Sequence, residues 1–393
     1  MMSAVLSNPN HPEYGVATIP FPIPHDQYTY CMELLKALEI GDAVKADCKV
    51  VAVDSFFSVL KRTEMLTVNV EELNYLAKRL ESFDTGEAAQ FQAMAHKLEL
   101  FELKDLINLT FCCQQATVIT DFSDLAAIGR DHYMNLHGGS ASVDELNKLD
   151  GEETARRLIE NGGTITPYGV VYDNGMKLEQ VYDGRFFPCY YYEPNAITVA
   201  VTSKSEPEDT NHITWLYLPM VQEEIDRTLL RGGITDPADA RPRLEDSQLP
   251  NEVDVLLDME YETLSDLSEL AEATDGLSNA DMKKLGAVVM LAKPENAAQI
   301  KNLAENLDLF DFAPGAHSPA EYSKYMIQQS GHFDYDENLD AFYDYEKYGS
   351  ERMNEEDGMF TDRGYIAYKG YISMEEVMNG SQSSHMVMGG LSR

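Results

Sequence analysis

Carboxylates dominate the chemistry available to this chain, and they are densest from Asp334 to Asp357, where 24 residues hold ten acidic and two basic side chains. Crowded acids serve three kinds of chemistry: binding of a hard cation, paired acid and base catalysis, or recognition of a basic surface. The run Asp334-x-Asp336-x-Asn338 begins like a calcium-binding EF-hand loop. That loop needs glycine at its sixth position and glutamate at its twelfth, which here are Leu339 and Tyr345. A pair of carboxylates also suits glycoside hydrolysis, but among 67 acidic residues a chance pair is almost certain. The sequence contains no HExxH, no phosphate-cradling glycine loop and no GxSxG nucleophile elbow. Adjacent Cys112 and Cys113 lie in an apolar segment and read as core. The nine histidines form no ligand cluster, and His25 and His132, beside Asp26 and Asp131, suit hydrogen-bonded surface pairs as well as acid and base groups. The expectation is a protein that is not an enzyme and uses no cofactor or metal.

Recognition of a basic surface remains. Asp336, Asp340 and Asp344 recur every four residues, and an α-helix would set them on one face with about 6 Å of rise per step. Like charges at that spacing oppose the helix by about 0.2–0.5 kcal/mol per pair, so Leu339, Phe342 and Tyr343 on the other face are expected to anchor it. DNA carries one negative charge per roughly 1.7 Å of duplex axis, so a rigid row of carboxylates offers a DNA-binding groove something like its normal ligand. The plainer alternative is a solvated acidic helix. The neighbouring acids Asp334, Glu337, Glu346, Glu351, Glu355, Glu356 and Asp357 would join the same contact surface. A second acidic stretch, Leu244 to Met282, has 12 acidic residues and no Lys or Arg; its candidate contacts are Asp254, Asp258, Glu262, Asp266, Glu269 and Glu272.

The composition of the whole chain points the same way. Its 393 residues carry 67 acids against 30 bases, a formal charge of -37, with a pI near 4.4. This field repels phosphates and favours a partner with a basic surface. A hydrophobic content of 44%, with 22 Tyr and 15 Phe, supplies a core that a disordered acidic polymer lacks. Five cysteines without paired spacing suit reduced thiols in a cytoplasm. The first residues lack the pattern of a signal peptide, and no apolar run reaches the roughly 20 residues that span a bilayer. A cytoplasmic protein without membrane or nucleic-acid contacts is expected.

Compared with itself, the chain shows similarity at an offset of 194 to 195 residues. Ile19 and Phe21 correspond to Ile213 and Trp215, each in a short strand that leads into a helix. Val70, Leu73, Leu76 and Ala77 correspond to Leu264, Leu267, Leu270 and Ala271, in helices that open with capping pairs, Asn69 with Glu72 and Thr263 with Asp266. Phe91 and Ala93 match Leu285 and Ala287, while Leu106, Asn108 and Leu109 match Ile300, Asn302 and Leu303. Two hairpins close the pattern, with Thr166 and Gly169 matching Thr361 and Gly364, the glycines placed where a turn needs positive φ. The expected fold is α+β: two tandem repeated modules of small α/β and helical subdomains, each opening as strand then helix. The first module covers 1–202, with extra aromatic strands in 181–200; a linker follows at 203–211, the second module at 212–373 and a flexible tail at 374–393.

The segment LDAFYDYEKYGSERMNEEDGMFTDRGYIAY resembles the C-terminal part of the ArdA-type antirestriction proteins, acidic proteins of mobile genetic elements, in which a (D/E)YxxYGR-like segment precedes a glycine-led hairpin. Tyr345, Glu346, Tyr348 and Gly349 match that segment; Ser350 replaces its usual arginine, and residues 19–172 keep only a remnant at Glu152 to Arg157. The resemblance implies an elongated DNA mimic that occupies the DNA-binding groove of a type I restriction-modification enzyme, commonly as a homodimer. The chain is about twice the family's length, so the two expected arrangements are one chain that supplies both halves of the mimic and one that pairs again into something longer. The same charge mimicry directed at a CRISPR effector or another defence nuclease is an alternative, as is a general acidic adaptor for basic proteins.

Overall fold

The computed structural model describes residues 2–189, 195–205, 212–331 and 334–380. Alternation of apolar and polar residues builds its first sheet. In β1 (Met2–Ser7) and β2 (Val16–Phe21), Ala4, Leu6, Ile19 and Phe21 are fully buried, while the intervening residues are more exposed. After α1 (Tyr28–Ala37) come β3 (Cys48–Ser55) and β4 (Thr67–Val68), which complete an antiparallel sheet of order β2-β1-β3-β4. Helices α2 (Val70–Glu81), α3 (Thr85–Lys97) and α4 (Leu103–Leu109) follow, and the Asn69 side chain caps α2 by accepting the Glu72 N–H. Then β5 (Thr117–Ile119), α5 (Leu125–Leu136), α6 (Val143–Lys148), α7 (Gly151–Glu160), β6 (Thr164–Thr166) and β7 (Gly169–Tyr172) form a small sheet of order β5-β7-β6 beside packed α5 and α7.

The later part of the chain uses the same kinds of element. Strands β8 (Ile197–Ser203), β9 (Thr214–Leu218) and β10 (Ala240–Ser247) form a sheet of order β10-β8-β9, with α8 (Gln222–Arg231) between β9 and β10 in sequence. Helices α9 (Asn251–Asp254), α10 (Leu264–Thr274), α11 (Asn279–Ala292) and α12 (Ala297–Glu305) lead to β11 (Phe310–Pro314), α13 (Pro319–Gln328), α14 (Tyr345–Glu355), β12 (Asp357–Thr361) and β13 (Gly364–Tyr368). The last sheet has the order β11-β13-β12. Helix α15 (Met374–Met378) ends the described chain.

The two small hairpin sheets share their register. Val118 faces Val171 as Phe312 faces Ile366, and Thr166 faces Gly169 as Thr361 faces Gly364. Each threonine hydroxyl donates to the carbonyl of its glycine at 2.8 Å, and the glycines adopt φ of 129° and 138°, where a side chain would be strained. Both sheets also lie beside a helix pair that approaches through glycine. A Cβ on Gly129 would lie 1.9 Å from the Gly151 carbonyl oxygen, and one on Gly349 would lie 2.0 Å from that of Pro319.

The contacts divide the chain into two units. One contains 1–193, 208–215 and 223–240, the other 194–207, 216–222 and 241–393. Within the first, α8 is tied to α2: Arg227 Nε donates to Glu71 at 2.8 Å, and buried Arg231 donates to the Ala43 carbonyl and Asn69 Oδ1, both at 3.0 Å.

Four expectations need correction. Of the aromatic stretch 181–200, residues 190–194 lie outside the described residues and Ile197 to Ala200 belong to β8, but 181–189 form no strand; instead Phe187 stacks on Tyr75 and Tyr182, with the Arg231 guanidinium over its ring. The strand near Ile19 and the one that follows Ile213 do each lead into a helix, β2 into α1 and β9 into α8, but the first module opens one strand earlier, with β1, and β1 and β8 occupy the inner positions of the two sheets. In the proposed linker, Ser203 still belongs to β8, and 206–211 lie outside the described residues. The expected tail starts as a helix: Ser373 and Glu376 form a capping box, Val377 is buried, and the Asn302 amide donates to the Met378 carbonyl at 2.7 Å. Residues 381–393 lie outside the description.

Gly349 offers a direct test of the close helix approach. Alanine is favoured over glycine within a helix by about 1 kcal/mol, but at 2.0 Å its Cβ overlaps a backbone carbonyl that cannot rotate away. We expect Gly349→Ala to lower stability by about 1–3 kcal/mol in denaturant unfolding. Unchanged or greater stability would show that α13 and α14 separate freely.

Candidate partner-binding surface

The carboxylates from Asp334 to Asp357 do not form the expected row. A 3-10 turn at Glu337–Phe342 is followed by α14, and each element starts at an aspartate. Asp336 Oδ1 accepts the Asn338 N–H at 2.9 Å, and Asp344 Oδ1 accepts the Lys347 N–H at 3.1 Å. The four-residue spacing thus reflects two N-caps, which satisfy backbone donors and avoid stacking like charges along one continuous helix. Asp340, between them, accepts hydrogen bonds from Tyr335 at 2.9 Å, from the Gln328 amide at 2.8 Å and from Tyr345. These hydroxyls, Tyr345 first, hold its carboxyl below the usual range. Partial desolvation and the facing carboxylate push Tyr335 up to about 12. The proposed apolar anchor fails as well: Leu339 is 48% and Phe342 83% exposed, and of the three only Tyr343 is half-buried.

The remaining candidates divide by what they touch. Asp334, Glu337, Glu346, Glu351, Glu355 and Asp357 are exposed, and Glu351 lies only 3.9 Å from exposed Lys347, a weak pairing. Glu356 turns inward. It accepts the Tyr322 hydroxyl at 2.7 Å and pairs with Arg352 Nε at 2.7 Å, beneath the sheet residue Tyr365. In the other stretch, Asp258 and Glu272 are exposed, while Glu269 pairs with Lys301 at 2.8 Å. Asp266 completes the cap of α10, accepting the Thr263 hydroxyl at 2.6 Å. Glu262 accepts the backbone N–H of Ala297, and burial raises its pKa and that of Asp254. Among these candidates, exposed charge without a close basic partner lies chiefly on α14, its flanks, Asp258 and Glu272.

Sequence reasoning missed the tyrosines around these acids. Tyr343 lies between Tyr335 and Tyr345, with ring centroids 6.2 and 5.8 Å away, so a hydrogen-bonded aromatic wall fixes the segment. The spacing of Tyr335, Tyr343, Tyr345 and Tyr348 was the available signal. His132 bonds Thr117 Oγ1 at 2.8 Å, and Cys112 and Cys113 are buried in the core. Among the described residues, no group of three or more His, Cys, Asp or Glu is placed to hold a metal ion, and no helix is long and apolar enough to cross a membrane.

The arrangement defines an acidic α+β protein whose exposed carboxylates stand on capped, closely packed helices. Residues 210–367 match the family model described as Antirestriction protein (ArdA), a range that takes in both acidic stretches and less than half of the chain. Over these residues the chain is similar to the ArdA family of antirestriction proteins. Comparison with curated proteins finds no match.

The division between inward and outward acids is measurable. Glu356→Gln removes the charge that faces Arg352 and two tyrosines, and we expect a loss of about 1–3 kcal/mol in unfolding free energy. Glu355→Gln, one residue earlier and exposed, should stay within about 0.5 kcal/mol of the unchanged protein. Equal effects at the two positions would refute the division.

Proposed function

We propose that this protein blocks restriction by DNA mimicry, its ordered carboxylates occupying the DNA-binding groove of a type I restriction-modification enzyme. The observation that supports this most is the placement of Glu346, Glu351 and Glu355 on one capped helix inside the family-matched segment. Glu351 and Glu355, four residues apart, share one face of that helix with about 6 Å of rise between them, a length over which one DNA strand carries about two charges, while Glu346 projects from the opposite side. A disordered acidic chain has charge without such spacing. Restriction enzymes bind DNA, so a basic groove is the surface this chain would meet, and nucleic acid itself is repelled. The equal registers of the two hairpin sheets also support the proposal that the chain holds two ArdA-like modules, 1–202 and 212–373, joined by 203–211. A single chain or a homodimer would then form the active inhibitor.

The test is displacement of DNA from a type I enzyme. The unchanged protein should compete with DNA, and its affinity should fall steeply with salt as it must for a partner that replaces phosphates. Glu346, Glu351 and Glu355 changed together to Gln should weaken competition more than Glu33→Gln, Asp54→Asn and Glu160→Gln, three exposed acids elsewhere. Equal losses would indicate a general acidic adaptor. No displacement of DNA at low salt would overturn the type I reading.

A further inference from the structure

Beside α13 and α14 lies a recess of about 300 Å³ lined by Ile327, Asp334, Tyr343, Asp344 and Tyr348. Small-molecule pockets run from roughly 300 to 1,000 Å³, so this one is of a size for a single side chain rather than a large ligand. Ile327 is 9% exposed and provides an apolar surface, while the half-buried rings of Tyr343 and Tyr348 provide aromatic ones. The Tyr343 ring is held between Tyr335 and Tyr345, whose hydroxyls both bind Asp340. The wall is therefore built before any partner arrives. Asp334 and Asp344 are exposed, and Asp344 caps α14 through Oδ1, so its carboxylate has a fixed direction.

Apolar and aromatic walls with two carboxylates fit an aliphatic stem that ends in a cation. An anion would be repelled, and a purely apolar occupant would desolvate the carboxylates without compensation. Between the two natural cations, guanidinium fits better, since it is planar, stacks on aromatic rings and forms paired hydrogen bonds with a carboxylate. We infer that this recess takes one arginine side chain from the basic groove of the protein's partner. The inference rests on the charge-mimic reading and deepens it, adding one shaped anchor to the field of many charges.

Substitutions at Tyr343 test the anchor because they leave net charge unchanged. Tyr343→Phe keeps the ring and should displace DNA from the type I enzyme within about twofold of the unchanged protein, whereas Tyr343→Leu should require about tenfold more protein, with the same salt dependence. Thermal unfolding of both variants separates loss of the anchor from loss of the fold. Equal displacement by Tyr343→Leu and the unchanged protein overturns the anchor and leaves charge mimicry standing. If the unchanged protein fails to displace DNA, the mimic reading falls, and the recess is tested alone with Nα-acetyl-arginine amide followed by NMR. Saturable shifts of the Tyr343 and Tyr348 ring signals, with those of Tyr348 lost in Tyr343→Leu, support the site; no saturable shift overturns it.

Discussion

A chain with a formal charge of -37 must fold against its own repulsion, and the placement of its scarce cations governs what the surface becomes. Four of its arginines serve the interior. Arg231 lies 3% exposed among backbone carbonyls and Asn69, Arg227 closes on Glu71, Arg352 on Glu356, and Arg363 binds both oxygens of Glu252 at 2.7 Å. Guanidinium suits such positions because its fixed fork satisfies several acceptors at once and stays charged. The last three contacts each neutralise an acid. The acids left outside then have few positive neighbours, so an unbalanced exterior follows from the way the interior is joined.

Much of this was legible in the sequence, and the parts that were not share a cause. Apolar spacing identified α2, α10 and the buried residues Leu73, Leu76, Leu267 and Leu270, because burial of a stripe leaves a regular trace. The glycine turns were visible too, since Gly169 and Gly364 take backbone angles that few other residues tolerate. The acidic segment misled because a four-residue repeat of aspartate is compatible with a helix face and with successive helix caps. Propensity decides between these only if one knows where the helix begins, and in the structure it begins at the Asp344 cap, with Gly349 packed closely against Pro319 of another helix. Likewise, composition counts Glu356 and Glu355 alike, although one faces Arg352 and the other faces solvent.

Fixed position and total charge act differently in recognition. A field of like charge speeds encounter and weakens with salt, but it discriminates little among basic surfaces. Capped helices add direction, and the hydrogen-bonded tyrosines around Asp340 remove freedom that the segment would otherwise lose on binding. Such preorganisation is how an acidic protein gains preference for one basic surface over many.

The stretch from Leu244 to Met282, with 12 acids and no lysine or arginine, has a practical side for anyone mapping a complex. Amine-reactive cross-linkers have nothing to hold there, and trypsin releases the region only as one long peptide bounded by Arg243 and Lys283. Carbodiimide coupling reverses the situation. It joins carboxylates to amines, so across this stretch every amide bond it forms must draw its nitrogen from elsewhere, and a partner's lysines would be recorded directly against the acid they approached.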